Sequence, residues 1–141
     1  MPGWRIRSAV EEDFASVLRL WEAAGPPPTV TDSAEGLSRL LLSDRDALLV
    51  AESEGILVGS LIAAWDGWRG SFYRLAVHPD RRRQGVAKAL VREGERHLRD
   101  RGAVRLTAIV ADDDPAAIGF WSALGYQRQQ HRARFVRLLA E

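Results

Sequence analysis

The sequence predicts a mixed α/β fold with the element order βααβββαβαββ. Three observations predict it. Apolar periodicity changes from helical to alternating near residue 47 and back to helical near residue 85. Two turn-forming connections, Glu54-Gly55 and Asp66-Gly67-Trp68-Arg69-Gly70, join three successive strand-like runs. A strand–helix–strand stretch from Ser71 to Val110 requires a parallel, right-handed crossover.

Taken in order, Trp4 to Arg7 is a short strand. From Glu11 to Ala24, Phe14, Val17, Leu18 and Trp21 recur at helical spacing, and Glu11, Glu12 and Asp13 sit where the helix dipole favours anions. The helix ends at Gly25, followed by the stiff loop Pro26-Pro27-Pro28. Asp32 followed by Glu35 marks the start of a second helix, with Leu37, Leu40 and Leu41 as its apolar stripe. Ala47 to Ala51, Ile56 to Trp65 and Ser71 to Val77 are the three antiparallel strands. Gly85 to Arg101 is a helix stopped by Gly102. Its interior Gly94 costs about 1 kcal/mol relative to alanine, so close packing or a ligand requires it. Val104 to Val110 is a strand, Pro115 to Leu124 a helix with proline in its first turn, and Tyr126 to Gln129 and Arg134 to Leu139 a closing strand pair.

Composition narrows the function. The chain has 141 residues, 46% of them hydrophobic, which is enough for one domain spanning 1–141 with a core of its own. A formal charge of +1 argues against a nucleic-acid coat or a membrane-surface protein. The absence of cysteine excludes disulfides, thiolate nucleophiles and cysteine metal sites, and three scattered histidines make no metal site. The longest nearly apolar run, Gly55 to Trp65, is too short for a bilayer, and the first residues lack a signal-peptide core. The expected location is cytoplasmic. Lys88 is the only lysine; every other basic residue is arginine.

The segment from Leu75 to Lys88 carries the chemistry. A strand runs into a turn, Arg81, Arg82 and Arg83 follow, and Gly85, Val86 and Ala87 open a helix. Free N–H groups of a first helical turn, the helix dipole and small residues that allow close approach make an anion site. The competing reading is a solvated arginine loop. The segment is neither a Walker A loop nor a dinucleotide fingerprint, because Gly-Lys-Ser/Thr and G-x-G-x-x-G are both absent.

Arg82-x-x-Gly85-x-Ala87, preceded by Leu75-Ala76-Val77-x-Pro79, resembles the acetyl-CoA-binding motif of the GNAT N-acetyltransferases. The segment from Asp114 through Phe120-Trp121 to Gly125-Tyr126 is similar to a second family motif, and Trp65-Asp-Gly-Trp-Arg-Gly70 resembles a group of small bacterial members. The similarity extends over residues 4 to 138. It implies the GNAT fold, with a splayed parallel strand pair holding the coenzyme, and transfer of an acetyl group from acetyl-CoA to an amine by direct attack. Leu75, Ala76 and Val77 would face the pantetheine on a strand whose bulge turns an N–H toward the thioester carbonyl. Arg82, Arg83, Gln84, Gly85, Val86, Ala87 and Lys88 would cradle the pyrophosphate. Asp114 stands where relatives often carry a pantetheine-binding asparagine; a helix N-cap is its structural alternative. Phe120 and Trp121 would lie near the sulfur.

Two departures concern proton transfer. Trp121 stands where many relatives have an acidic tyrosine, and Ile109 stands where some have a glutamate base. Tyr73, Asp66 and His131 are the candidate bases; for Asp66 a turn role competes. His78 reads as a turn residue and His97 as helix surface. Trp21, Pro26 to Pro28, Trp65, Trp68, Trp121 and Tyr126 are candidate walls for the acceptor, which is an unspecified small-molecule or protein amine. The other reading is an acyl-CoA-binding regulatory module with little turnover. No metal, nucleic acid or membrane partner is expected, and the resemblance admits a homodimer.

Overall fold

The structure, a computed structural model, describes residues 3–25 and 27–139; Pro26 of the expected proline loop lies outside them. They fall into two compact units, one ending at Ile109 and one beginning at Val110.

In the first unit the chain forms β1 (Arg5–Ser8), a 3-10 turn (Glu11–Asp13), α1 (Phe14–Ala24), α2 (Ala34–Ser43), β2 (Leu48–Ser53), β3 (Ile56–Trp65), β4 (Gly70–Val77), a second 3-10 turn (Pro79–Arg81), α3 (Val86–Arg101) and β5 (Leu106–Ala108). The sheet order follows the chain, β1-β2-β3-β4-β5. Every pair is antiparallel except β4–β5, which the α3 crossover makes parallel. A mixed sheet with one parallel pair is the class expected from the sequence.

Each face of the sheet has its own apolar layer. Phe14, Val17, Leu20 and Trp21 of α1 and Leu37 of α2 bury against Leu48, Val50, Leu57 and Ala76. Each such full burial contributes about 1.5–3 kcal/mol. A bulge at Val58, where Ala51 pairs Gly59 and Glu52 pairs Leu57, reverses the alternation of β3. Gly59, Leu61 and Ala63 therefore turn toward α3 on the opposite face. Gly94 is explained by packing: a Cβ there would lie 2.8 Å from the Phe72 ring and 3.0 Å from Leu61.

An ionic knot fixes the first strand. The Arg7 guanidinium donates to both Asp13 oxygens at 2.7 and 2.9 Å and to Glu52 Oε1 at 2.9 Å, and Val10 N–H donates to Asp13 at 2.8 Å. Arg7, assisted by the Val10 N–H and opposed by burial, holds the Asp13 carboxyl below its ordinary 3.8. A depressed native pKa stabilises the fold above the unfolded value, and that stability is lost as pH falls through the lower native one. Asp13→Asn is therefore expected to cost about 1 kcal/mol at neutral pH, after allowance for solvent screening. The gap from wild type should close in acid, as read by thermal melts across pH 2 to 7.

Three expectations change. The second helix is capped by Ser33, whose Oγ accepts the Gly36 N–H at 3.0 Å, and not by Asp32, which is engaged elsewhere. The strand expected from Val104 to Val110 shortens to Leu106–Ala108, with Val104 and Ile109 exposed. In the second unit, α4 (Pro115–Ala123) forms as expected. The closing strand pair does not: 126–130 and 132–138 carry no regular structure. Arg132, Arg134 and Arg137 crowd like charge along that segment, while Arg128 pairs with Asp112 at 3.2 Å. A two-stranded hairpin is marginal without further support.

Candidate active site

Strand β4 pairs with β5 only from Gly70 to Phe72. Beyond Phe72, backbone groups of Tyr73 to Val77 on that edge have no ladder partner among the described residues. On the other edge, Ser60 pairs Ala76 while Ile62 pairs Tyr73, so Arg74 and Leu75 stand opposite Leu61 alone. This is a β-bulge, and Arg74 adopts φ +53°, the left-handed region that non-glycine residues rarely occupy. Ala76 is buried, and Leu75 and Val77 are half-buried.

The turn after β4 shapes the next feature. His78 Nδ1 accepts the Asp80 N–H at 3.2 Å, and Arg81 donates to Ser53 Oγ at 3.3 Å, so Arg81 is tied to β2. Arg82 is extended, Arg83 has φ +65°, and Gly85 caps α3 at φ +84°. Alternating left-handed residues form a backbone nest for anions. Among the described residues no side chain caps the α3 N-terminus, and its first turn holds no acid. The first helical acceptor, Gly85 O, receives the Ala89 N–H at 3.0 Å. The N–H groups of Val86, Ala87 and Lys88 therefore have no intrahelical partner. Arg82, Arg83, Gln84, Gly85 and Lys88 are exposed, and none of the three cations has an acidic partner among the described residues. Several N–H donors, uncompensated positive charge and open space above Gly85 suit a diphosphate.

A second network lies on the α1 side of the bulge. Arg74 Nε donates to Asp32 Oδ1 at 3.1 Å and its NH2 group pairs with Asp32 Oδ2 and the Pro27 carbonyl. The guanidinium lies 5.2 Å above the Trp21 ring, and burial lowers its pKa. Trp21 Nε1–H donates to Ser60 Oγ at 2.7 Å, and that hydroxyl is 3.4 Å from the Arg74 carbonyl. Sequence reading missed Arg74, Asp32 and Ser60. The only local trace is an arginine inside a strand otherwise apolar or aromatic after Ser71.

The remaining candidates are placed as follows. Tyr73, on β4 directly before the bulge, is 45% exposed and so open to solvent. Asp66 closes the β3–β4 turn: its Oδ1 accepts the Trp68 and Arg69 N–H groups at 2.8 and 2.6 Å, and the Arg69 bond, then the Trp68 bond, lowers its pKa. Trp68 is exposed on that turn beneath the Arg69 guanidinium, and Trp65 ends β3. Trp21 is buried in the α1 core. His97, expected on the helix surface, is instead largely buried against Asp44 at 2.8 Å.

In the second unit, Asp114 is the N-cap of α4, accepting the Ala117 N–H at 3.0 Å. Trp121 packs edge-on against Phe120 at 5.4 Å and Tyr126 at 5.0 Å. His131 follows in the irregular segment at φ +62°. Among the described residues no group of histidines and acids is arranged to hold a metal, and no helix is long and apolar enough to cross a membrane.

Residues 14–126 match the acetyltransferase (GNAT) family. An acetyltransferase of Yersinia pestis (strain Pestoides F) is 40% identical over 124 residues, covering 88% of each chain. One of Pectobacterium atrosepticum is 39% identical over 122 residues, covering 86% of each. Among solved structures, the PaiA N-acetyltransferase of Thermoplasma acidophilum, in complex with coenzyme A, aligns with a TM-score of 0.81 at 16% identity over 92% of each chain. AAC(6')-Iy, in complex with the bisubstrate analog CoA-S-monomethyl-acetylneamine, aligns with a TM-score of 0.76 at 20% identity, over 97% of this chain and 99% of that one. At these identities the structural likenesses speak for the fold.

Proposed function

Because this chain belongs to the acetyltransferase (GNAT) family, we propose that it transfers the acetyl group of acetyl-CoA to an amine. The observation that carries the reading is the uncapped, acid-free N-terminus of α3, with left-handed Arg83 and Gly85, directly after a β4 whose edge is open. In this reading residues 1–141 act as one domain. The N–H groups of Val86, Ala87 and Lys88 hold the pyrophosphate, and Arg82, Arg83, Gln84 and the Lys88 ammonium surround it. The open edge at Leu75, Ala76 and Val77 pairs with the amides of the pantetheine arm. The bulge aims a backbone N–H at the thioester oxygen, where charge develops.

The amine nitrogen attacks the thioester carbonyl carbon. The C–N bond forms, the C–S bond breaks, and the sulfur leaves with its electron pair as thiolate. The nitrogen proton goes to solvent or to the candidate base Tyr73, which is exposed on β4. The indole of Trp121 donates no proton to the thiolate at neutral pH, so positioning and the bulge N–H supply most of the acceleration. Asp66, already holding two N–H groups in its turn, has less to offer as a base.

Acetyl-CoA at saturating concentration is expected to raise the melting temperature, and a panel of amines should release free thiol. Binding without thiol release from any amine would favour the regulatory-module reading; absence of binding would overturn both. Arg83→Glu is expected to weaken coenzyme A binding by at least about tenfold in calorimetry, through loss of a charged contact and added repulsion. Because Arg83 has no acidic partner to lose among the described residues, the melting temperature of the free protein should stay unchanged.

A further inference from the structure

Ser60, in the middle of β3, is fully buried among apolar neighbours in its strand, yet it carries a hydroxyl. A buried hydroxyl is unfavourable unless it is hydrogen-bonded, and an alanine would fill the same place without that cost. The serine is distinguished by its two bonds. Its Oγ accepts the Trp21 indole N–H at 2.7 Å, which leaves its own proton to donate to the Arg74 carbonyl at 3.4 Å. A directed chain from indole to hydroxyl to carbonyl thus ends on the bulge of β4. Arg74, at φ +53°, is a strained residue that its surroundings must hold in place. Asp32 holds its guanidinium, and Ser60 holds its carbonyl. Peptide geometry carries the second contact across the strand. The Arg74 carbonyl and the Leu75 N–H belong to one peptide unit, and no cis bond occurs among the described residues. In a planar trans peptide the two groups point in opposite directions. With the carbonyl turned to Ser60 on β3, the Leu75 N–H is turned away from β3, on the side where β5 pairs with β4 only as far as Phe72.

We propose that Ser60 is a positioning residue for acetyl transfer: through the Arg74 carbonyl it fixes the peptide whose Leu75 N–H polarises the thioester oxygen. The inference rests on the acetyl-transfer reading and adds to it a buried residue, remote from both substrates, that sets the aim of the donor. Ser60 touches neither the coenzyme nor the amine. Without its hydroxyl the bulge peptide is free to turn about its flanking bonds, and the N–H loses its direction. The pyrophosphate contacts at the start of α3 lie on another element and are left as they were. A donor aimed at developing charge acts on the reacting carbonyl far more than on coenzyme affinity.

The test is the infrared band of the thioester carbonyl in acetyl-CoA carrying a carbon-13 label at that carbonyl, bound to the protein at saturation. In the wild type the bound band is expected at lower wavenumber than in water, because an aimed N–H polarises the carbonyl. Ser60→Ala, which removes a single atom, should return the band at least about half of the way to its position in water, while the calorimetric Kd for acetyl-CoA changes by less than about threefold. Ser60→Thr keeps the hydroxyl and should keep the wild-type band. A purely structural role for Ser60 would lower the melting temperature of Ser60→Ala and leave the band in place. A band unmoved in Ser60→Ala, a band lost in Ser60→Thr, or a wild-type band at its position in water would each overturn the assignment. Failure of acetyl-CoA to bind the wild type would overturn the acetyl-transfer reading first, and the role of Ser60 with it.

Discussion

Asp32→Ala is expected to destabilise the protein by about 3 kcal/mol, a fall of roughly 10 °C in melting temperature. The side chains of the Asp32–Arg74 pair are only 7% and 15% exposed, so removing the carboxylate leaves a guanidinium largely out of water with the Pro27 carbonyl as its remaining acceptor. The loss comes chiefly from that stranded charge and not from the pair's intrinsic attraction. Removing both partners should therefore cost less than removing one: Asp32→Ala with Arg74→Met is expected to recover at least half of the loss. Arg74→Gly separates the effects further, because it relieves the left-handed backbone at φ +53° while deleting the pair. Equal losses for Asp32→Ala and the double variant, in thermal and urea melts, would contradict this account.

Gly85→Val is expected to weaken acetyl-CoA binding about a hundredfold while lowering stability by only about 1–2 kcal/mol. Gly85 sits at φ +84°, ψ 7°, where a β-branched side chain is strained. A Cβ built there meets no atom within 4 Å, so the added side chain clashes with no neighbour in the protein. It occupies the open space in front of the Val86, Ala87 and Lys88 N–H groups, and the backbone relaxation it demands turns those donors away. Gly85→Ala should fall between wild type and valine. Binding by calorimetry and stability by melting separate the two effects.

Most of the fold was legible because its signals are local. The ends of β3, the helix stops at Gly25 and Gly102 and the α3 crossover follow from periodicity and turn residues within a few positions. The nest was legible in part: Gly85 announces a left-handed residue, but nothing in three consecutive arginines distinguishes Arg83, at φ +65°, from Arg81, which turns back to Ser53. The Asp32–Arg74 pair spans 42 positions and depends on a bulge that no local pattern encodes. The same pair explains why the helix-start signal at Asp32 misled by one residue, since its carboxylate serves β4 while Ser33 takes the cap. The strand pair expected at Tyr126 to Gln129 and Arg134 to Leu139 failed because its apolar side chains Phe135, Val136, Leu138 and Leu139 stay exposed and gain nothing from packing.

The account rests on the coenzyme occupying the loop between β4 and α3. Amide hydrogen exchange with and without acetyl-CoA reads that location directly. The predicted result is coenzyme-dependent protection concentrated at the amides from Arg83 to Lys88 and along Leu75 to Val77, lost in Gly85→Val. Protection confined to other segments, or none at saturating acetyl-CoA, would contradict it.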